Sequence, residues 1–231
     1  MNKIAVILTN VDHYGNDEEK TGLWLSEATE FVNTVIPKGI DVDYISPNGG
    51  VVPLDPRSLG KLYVKKEDKR LWESKDFQER ALKNSLCADT VNPSEYVGIY
   101  FTGGHGVLWD FPENKQLQRL AREIYKNGGY VMSVCHGVCG LLNITDDKGT
   151  PLIKGRKITG FTKEEEILSG KYKKVPFITE TEIKKKEAVF CKKFPFRRYA
   201  IHDNRFITGQ NPMSGGEVAK VFLDVLENRG F

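Results

Sequence analysis

The sequence predicts an α/β protein, a three-layer α/β/α sandwich around a mainly parallel sheet, and three observations predict it. Short uninterrupted apolar runs, beginning with Ile4-Ala5-Val6-Ile7-Leu8, are what strands covered on both faces require. Stretches with apolar residues at helical spacing alternate with these runs. Glycine-containing loops follow two of them, as in Thr102-Gly103-Gly104-His105-Gly106, and in open α/β sheets ligands sit at such strand ends, beside a switch in strand order.

The run 4–8 is apolar without alternation, so its strand belongs at the centre of the sheet. After a polar loop, Leu25, Ala28, Phe31 and Val35 recur at helical spacing within 21–38, and Gly39 supplies a stop. Residues 42–45 read as a second strand closed by Pro47-Asn48-Gly49-Gly50, completing a βαβ unit. Over about 51–90 the rhythm breaks: a proline-containing start, a charged stretch and a helical pattern near 76–86 read as an insertion or cap. It resumes with a strand over 96–101, an amphipathic helix over 116–127 and the stop Gly128-Gly129. Then follow a strand over 130–134, a helix over 137–142, and strands over 157–161 and 206–208. A helix over 214–228 closes the chain, with Val218, Val221, Phe222 and Val225 on one face.

A chain of 231 residues can bury one large core, and no composition break argues for two, so residues 1–231 are expected to form a single domain. Charged residues make up 28% and the net charge is only +3, which does not call for a nucleic-acid partner. The basic run Lys184-Lys185-Lys186 is interleaved with Glu180, Glu182 and Glu187 and reads as a solvated helix face. The N-terminus Met1-Asn2-Lys3 leads straight into the first strand, too short for a signal segment, and no apolar stretch approaches membrane-spanning length. Cysteines at 87, 135, 139 and 191 lack both paired metal spacing and the density of a disulfide scaffold. A soluble, cytoplasmic protein without a membrane role is expected.

The most informative segment is Val131-Met132-Ser133-Val134-Cys135-His136-Gly137, where an apolar strand stops at a cysteine. A tight strand-to-helix turn, a nucleophile elbow, would lift that side chain clear of the sheet beside helix N-terminal amides, which favour thiolate. The same residue also fits a small buried hydrophobe. Gly103 and Gly104 leave backbone amides open to a developing oxyanion, although glycines are common in plain turns too. Side chains of neighbours on a tight turn diverge, so His136 reads less as a direct base than as a carboxylate-oriented proton relay. Glu166 is a candidate orienting carboxylate, and its alternative is an exposed helix start at Glu164-Glu165-Glu166. Glu27, if buried toward Cys135, would have a raised pKa and could donate a hydrogen bond to the thiolate; otherwise it is a surface helix residue.

Five segments in order, Thr21-Gly22-Leu23-Trp24-Leu25-Ser26-Glu27, Thr102-Gly103-Gly104-His105-Gly106, Val134-Cys135-His136-Gly137, Thr159 through Glu166, and Thr208-Gly209-Gln210-Asn211-Pro212, resemble the ThiJ/PfpI superfamily. Their order and spacing are those of its heat-shock chaperone and glyoxalase III branch. The resemblance covers nearly the whole chain. It implies a flavodoxin-like, usually dimeric sandwich, with Cys135 as nucleophile, His136 and Glu166 completing a triad, and Glu27 on the thiol. It also implies an oxyanion site at the amides of Gly104 and His136, and an oxyanion and substrate-binding set of Gly103, Gly104 and His105. Val138-Cys139 departs from the Pro-Ala type pair of relatives, so a different pocket floor is expected. The basic, aromatic segment 183–200 leaves substrate size open.

The activity implied is cofactor-independent conversion of methylglyoxal, or a related α-oxoaldehyde, to a 2-hydroxy acid. The branch also implies rivals: a stress holdase with unfolded protein clients, and a cysteine peptidase, amidase or deglycase. Class I glutamine amidotransferases share the elbow but take a late histidine, for which His202 is the candidate. Metal binding by His13, His105 or His136 finds no tight ligand spacing, and no metal is expected.

Overall fold

The computed structural model describes residues 3–60 and 63–228; Met1, Asn2 and residues 61–62 of the 51–90 stretch lie outside the described residues. Strands β1 (Lys3–Ile7), β2 (Asp41–Ser46), β3 (Leu86–Cys87), β4 (Tyr96–Phe101), β5 (Tyr130–Val134), β8 (Ala200–Asp203) and β9 (Phe206–Gly209) form one sheet in the order β3-β2-β1-β4-β5-β9-β8. Every neighbouring pair is parallel except β8 with β9. The chain thus steps outward from β1 to β2 and β3, then returns to β4 on the other side of β1. That reversal opens a crevice at the carboxyl ends of β1 and β4, beside β5 and Cys135.

Helices cover both faces, as a parallel sheet requires. Ile4, Val6 and Leu8 face one core with Phe31 of α1 (Leu25–Val35) and Phe222 of α7 (Gly215–Glu227). Ala5 and Ile7 face the other, with Leu117 and Leu120 of α4 (Lys115–Lys126). The three-layer α/β/α sandwich is therefore present. Among the described residues no helix is long and apolar enough to cross a membrane. In α6 (Thr179–Lys185), Lys184 pairs with Glu180 at 2.6 Å and Lys185 with Glu182 at 2.7 Å, the solvated face expected of this run.

The structure corrects four local expectations. The first helix starts at Leu25 rather than Thr21, because Gly22, at φ +151°, is pressed against the backbone of Pro53; a Cβ there would lie 2.4 Å from its carbonyl oxygen. The helical pattern in the 51–90 stretch is a π-helix, Phe77–Lys83, after α2 (Lys66–Trp72), and the stretch ends by adding β3 to the sheet edge. After β5 the chain winds into a 3₁₀ turn, Cys135–Leu141, because Gly137 lies so close to β4 that a Cβ would meet Phe101 O at 2.3 Å. The expected strand over 157–161 is only β6 (Lys157–Ile158), paired with β7 (Val189–Phe190) in a separate small sheet. Its continuation braces the elbow instead, with Phe161 N donating to Cys135 O at 3.1 Å.

Candidate active site

Cys135 sits where the sheet ends, at φ +56°, a conformation a non-glycine residue adopts at a cost of about 1–3 kcal/mol. The surrounding backbone enforces it. A Cβ on Gly103 would meet His136 N at 3.0 Å and Cys135 Cβ at 3.1 Å, so the loop after β4 lies directly against the elbow.

His136 Nδ1 lies 3.4 Å from Cys135 Sγ, and its Nε2 bonds Glu166 Oε2 at 2.7 Å. The imidazole therefore reaches the thiol directly, contrary to the expected divergence: with Cys135 at positive φ, both neighbouring side chains turn to the same side. Glu166 belongs to α5 (Lys163–Leu168), and it is buried rather than part of an exposed helix start. Burial alone would raise its pKa, but the His136 and His105 imidazoles outweigh that and hold it well below the ordinary carboxylate value.

The position of α5 is set by Glu165, which the sequence reading passed over. Thr162 Oγ1 accepts from Glu165 N at 3.0 Å while Glu165 Oε2 accepts from Thr162 N at 2.9 Å. This is a capping box, legible as Thr-x-x-Glu. Glu165 Oε1 accepts from Phe196 N, Gln210 Nε2 and Asn211 Nδ2 at 2.7, 3.0 and 2.9 Å. The Gln210-Asn211 motif thus anchors the helix that carries Glu166.

Glu27 is fully buried in the first turn of α1. Its Oε2 accepts from Gly103 N at 2.6 Å, so that amide is not open to substrate as expected. Oε1 has no hydrogen-bond partner among the described residues, while the carboxyl as a whole interacts with the Cys135 thiol. Burial pushes the Glu27 pKa up to about 8, against lowering by Cys135 and by the Gly103 amide. At Cys135 burial pushes the thiol well above its ordinary value, and Glu27 adds to the rise against the His136 amide. Desolvation of the sulfur and the carboxyl it faces therefore both act against the expected resting thiolate. Gly104, at φ +102°, lines the cavity and has its amide without a protein acceptor among the described residues, and the amide of His136 lies beside Cys135.

A cavity of about 380 Å³ opens over Cys135, His136 and His105, walled by Trp24, Arg57, Tyr63, Phe161, Phe196 and Met213. Val138 and Cys139 do not line it. Both are buried in the opposite core, Cys139 with its thiol on Val107 O at 3.4 Å, so neither side chain of this pair forms the cavity wall. Phe196 is the contribution of the 183–200 segment. Arg57 carried no signal of its own in sequence, because only folding of the 51–90 stretch brings it here.

His202 stays exposed on β8, bonded to the Asn204 carbonyl, and His13 pairs with Asp12 at 2.6 Å in a loop; neither reaches Cys135. The ligand atoms of His105, His136 and Glu166 lie within 4.8 Å of one another, a donor set able to hold a metal ion. The same atoms bond one another, His105 Nε2 meeting Glu166 Oε1 at 2.8 Å.

The conserved pattern of the DJ-1/PfpI family matches residues 20–224 of this chain. The chain belongs to the DJ-1/PfpI family. Within it, the chain is 35% identical to the glutathione-independent glyoxalase HSP31 of Saccharomyces cerevisiae, over 98% of each. It is 33% identical to Glyoxalase 3 of Candida albicans, over 98% of this chain and 99% of the relative. The crystal structure of glyoxalase III from Candida albicans superposes with a TM-score of 0.86 at 31% identity, covering 96% of each chain. That of the Rapid Encystment Protein 24 KDa from Francisella tularensis does so with 0.92 at 35% identity, covering 96% of this chain and 97% of that one. In this DJ-1/PfpI chain the elbow, Gly104 and Leu168 of α5 line one cavity, and Glu27 and Glu166 lie buried behind it.

Proposed function

We propose that the chain is a glutathione-independent glyoxalase that converts methylglyoxal or a related α-oxoaldehyde to the 2-hydroxy acid. The observation that carries this reading is the buried thiol of Cys135 held between His136 Nδ1, 3.4 Å away, and the Glu27 carboxyl. The thiol proton passes to Nδ1 as Sγ attacks the aldehyde carbon, giving a hemithioacetal whose oxyanion meets the amides of Gly104 and His136. Removal of the C1 proton and its return to C2 through an enediol leaves a thioester of the 2-hydroxy acid. Water then releases the acid and restores the thiol. No electrons enter or leave, and Cys135 supplies the sulfur that glutathione would otherwise provide. The aromatic-walled cavity of about 380 Å³ exceeds the needs of a three-carbon oxoaldehyde, which supports acceptance of bulkier members.

Purified protein given methylglyoxal without glutathione should form lactate, and Cys135→Ala should lose at least about 10³-fold. Equal turnover in the two proteins would reject the mechanism; no turnover in either would reject the function. A peptidase or amidase reading predicts cleavage of peptide amides by the same nucleophile, for which the walled cavity offers no open groove.

A holdase reading draws on exposed apolar side chains, Phe194 at 83% and Leu168 at 65%, beside an open groove next to the cavity. It predicts that Cys135→Ala still suppresses client aggregation and that Phe194→Ser does not. A cytoplasmic homodimer belongs to the same proposal, and light scattering at twice the chain's 26.1 kDa would support the dimer.

A further inference from the structure

Arg57 and His105 stand outside the line from Cys135 to Glu166 yet are bonded to it atom by atom. Arg57 Nη2, with two hydrogens, shares them among His105 Nδ1 at 2.9 Å, Asp55 Oδ2 at 2.6 Å and the Tyr14 hydroxyl, and its Nε donates to Asp55 Oδ1 at 3.0 Å. A guanidinium only donates and does not deprotonate. Glu166 Oε1, 2.8 Å from His105 Nε2, only accepts, so the ring proton sits on Nε2 and Nδ1 is the unprotonated nitrogen that faces Arg57. The Glu166 carboxylate, which only accepts, takes one N–H from each imidazole. With Oε1 held by His105, Oε2 is left to His136, whose unprotonated Nδ1 is presented to the thiol.

We propose that Arg57 and His105 are positioning residues that fix Glu166 as a double acceptor and so hold His136 in the tautomer the Cys135 thiol requires. His105, His136 and Glu166 are all nearly solvent-free, so water does not compete for these bonds. Burial, then the neighbouring His136, hold the His105 pKa down at about 4, keeping the ring neutral. The groups facing this chain from each packed element are Tyr14, bonded to Arg57, with Lys171 over its ring; Asp55 behind Arg57; Ser169, whose Oγ reaches Glu166 Oε1 at 3.2 Å; and the Cys135–Glu27 pair beyond His136. The kinetic part of this inference rests on the proposed glyoxalase reading, whereas the tautomers do not.

The chain has four histidines, so long-range ¹⁵N–¹H spectra of the full-length protein resolve each ring. Wherever either ring is neutral, the Nε2–H tautomer is expected at His105 and at His136; an Nδ1–H form at either ring in the wild type overturns the proposal. In His105→Leu, Glu166 loses one of its two donors and Oε2 is no longer reserved for His136, so an Nδ1–H form should appear at His136 and kcat near neutrality should fall about tenfold, with KM little changed. His105→Gln keeps a donor toward Glu166 and should recover most of that loss and the Nε2–H form. Equal losses in the two variants, or an unchanged His136 tautomer in a folded His105→Leu, overturn the proposal. In Arg57→Met the His105 Nδ1 resonance should move toward that of an unbonded ring nitrogen, and an unmoved resonance counts against the Arg57 link. Should the wild type turn over no oxoaldehyde, the glyoxalase reading fails alone and the ring spectra still decide this one.

Discussion

Glu27 couples the acidity of the site to the stability of the fold. Burial holds its pKa at about 8, whereas in the unfolded chain a glutamate titrates near ~4.3. The stability it contributes is whole below the unfolded value and is lost as pH rises through the folded one. Glu27→Gln cannot ionise, so its melting temperature should exceed that of the wild type by a margin that widens from pH 5 to 8. The full effect is on the order of a few kcal/mol. A margin independent of pH would show that Glu27 ionisation is not its cause. The same charge opposes formation of a thiolate at Cys135, so kcat should decline above about pH 8 in the wild type, and Glu27→Gln should lack that limb. Glu166 works with the opposite sign: its depressed pKa contributes stability above the unfolded value, lost as pH falls. The type of residue needed at each of these positions was legible in sequence. The protonation state was not, since it depends on desolvation and on which charges fold against the group.

At the scale of elements, two short turns carry the site. The elbow tolerates no side chain at Gly137, where a Cβ would lie 2.3 Å from Phe101 O and 2.5 Å from Thr102 O. Gly137→Ala should cost roughly 1–3 kcal/mol in urea unfolding, and an unchanged midpoint would mean that β4 and the elbow can part without penalty. Helix α5 depends on its capping box. Thr162→Ala removes one cap at a cost of about 1 kcal/mol. Glu165→Leu should cost more, because it strands the buried amides of Gln210 and Asn211 as well. If the two variants prove equally stable, Glu165 is a cap and no more. Strand β5, the Gly103-Gly104 loop and α1 were readable because local pattern and tertiary role agree there. The 157–161 segment misled because its apolar run serves to brace Cys135 and only its first two residues pair as a strand.

Over the whole molecule, the site is assembled from both sides of the β1–β4 reversal, with Glu27 on one helical layer and Glu166 beyond the elbow. Arg57 reaches it from the 51–90 stretch, whose α2 and π-helix pack on α1 and β2. We propose that this stretch is a cap integral to a single domain. Unfolding followed by tryptophan fluorescence, with Trp72 in the stretch and Trp109 near the sheet, should coincide with the loss of helical circular dichroism. Separate transitions would make the cap an independent unit.

The sequence by itself determined the layered α/β architecture and the order of its central elements, because apolar periodicity and glycine stops act over a few residues. It also marked Cys135, His136, Glu27 and Glu166 through motifs in a fixed order. The tertiary structure alone decided that His136 reaches the thiol and that burial and the Glu27 carboxyl push the Cys135 pKa up. It likewise decided that Gly103 serves Glu27 rather than substrate, and that Arg57 and His105 join the carboxylate. Each of these turns on distances that packing sets and local pattern does not show, most of them between residues far apart in the chain, and on the water that the packing excludes.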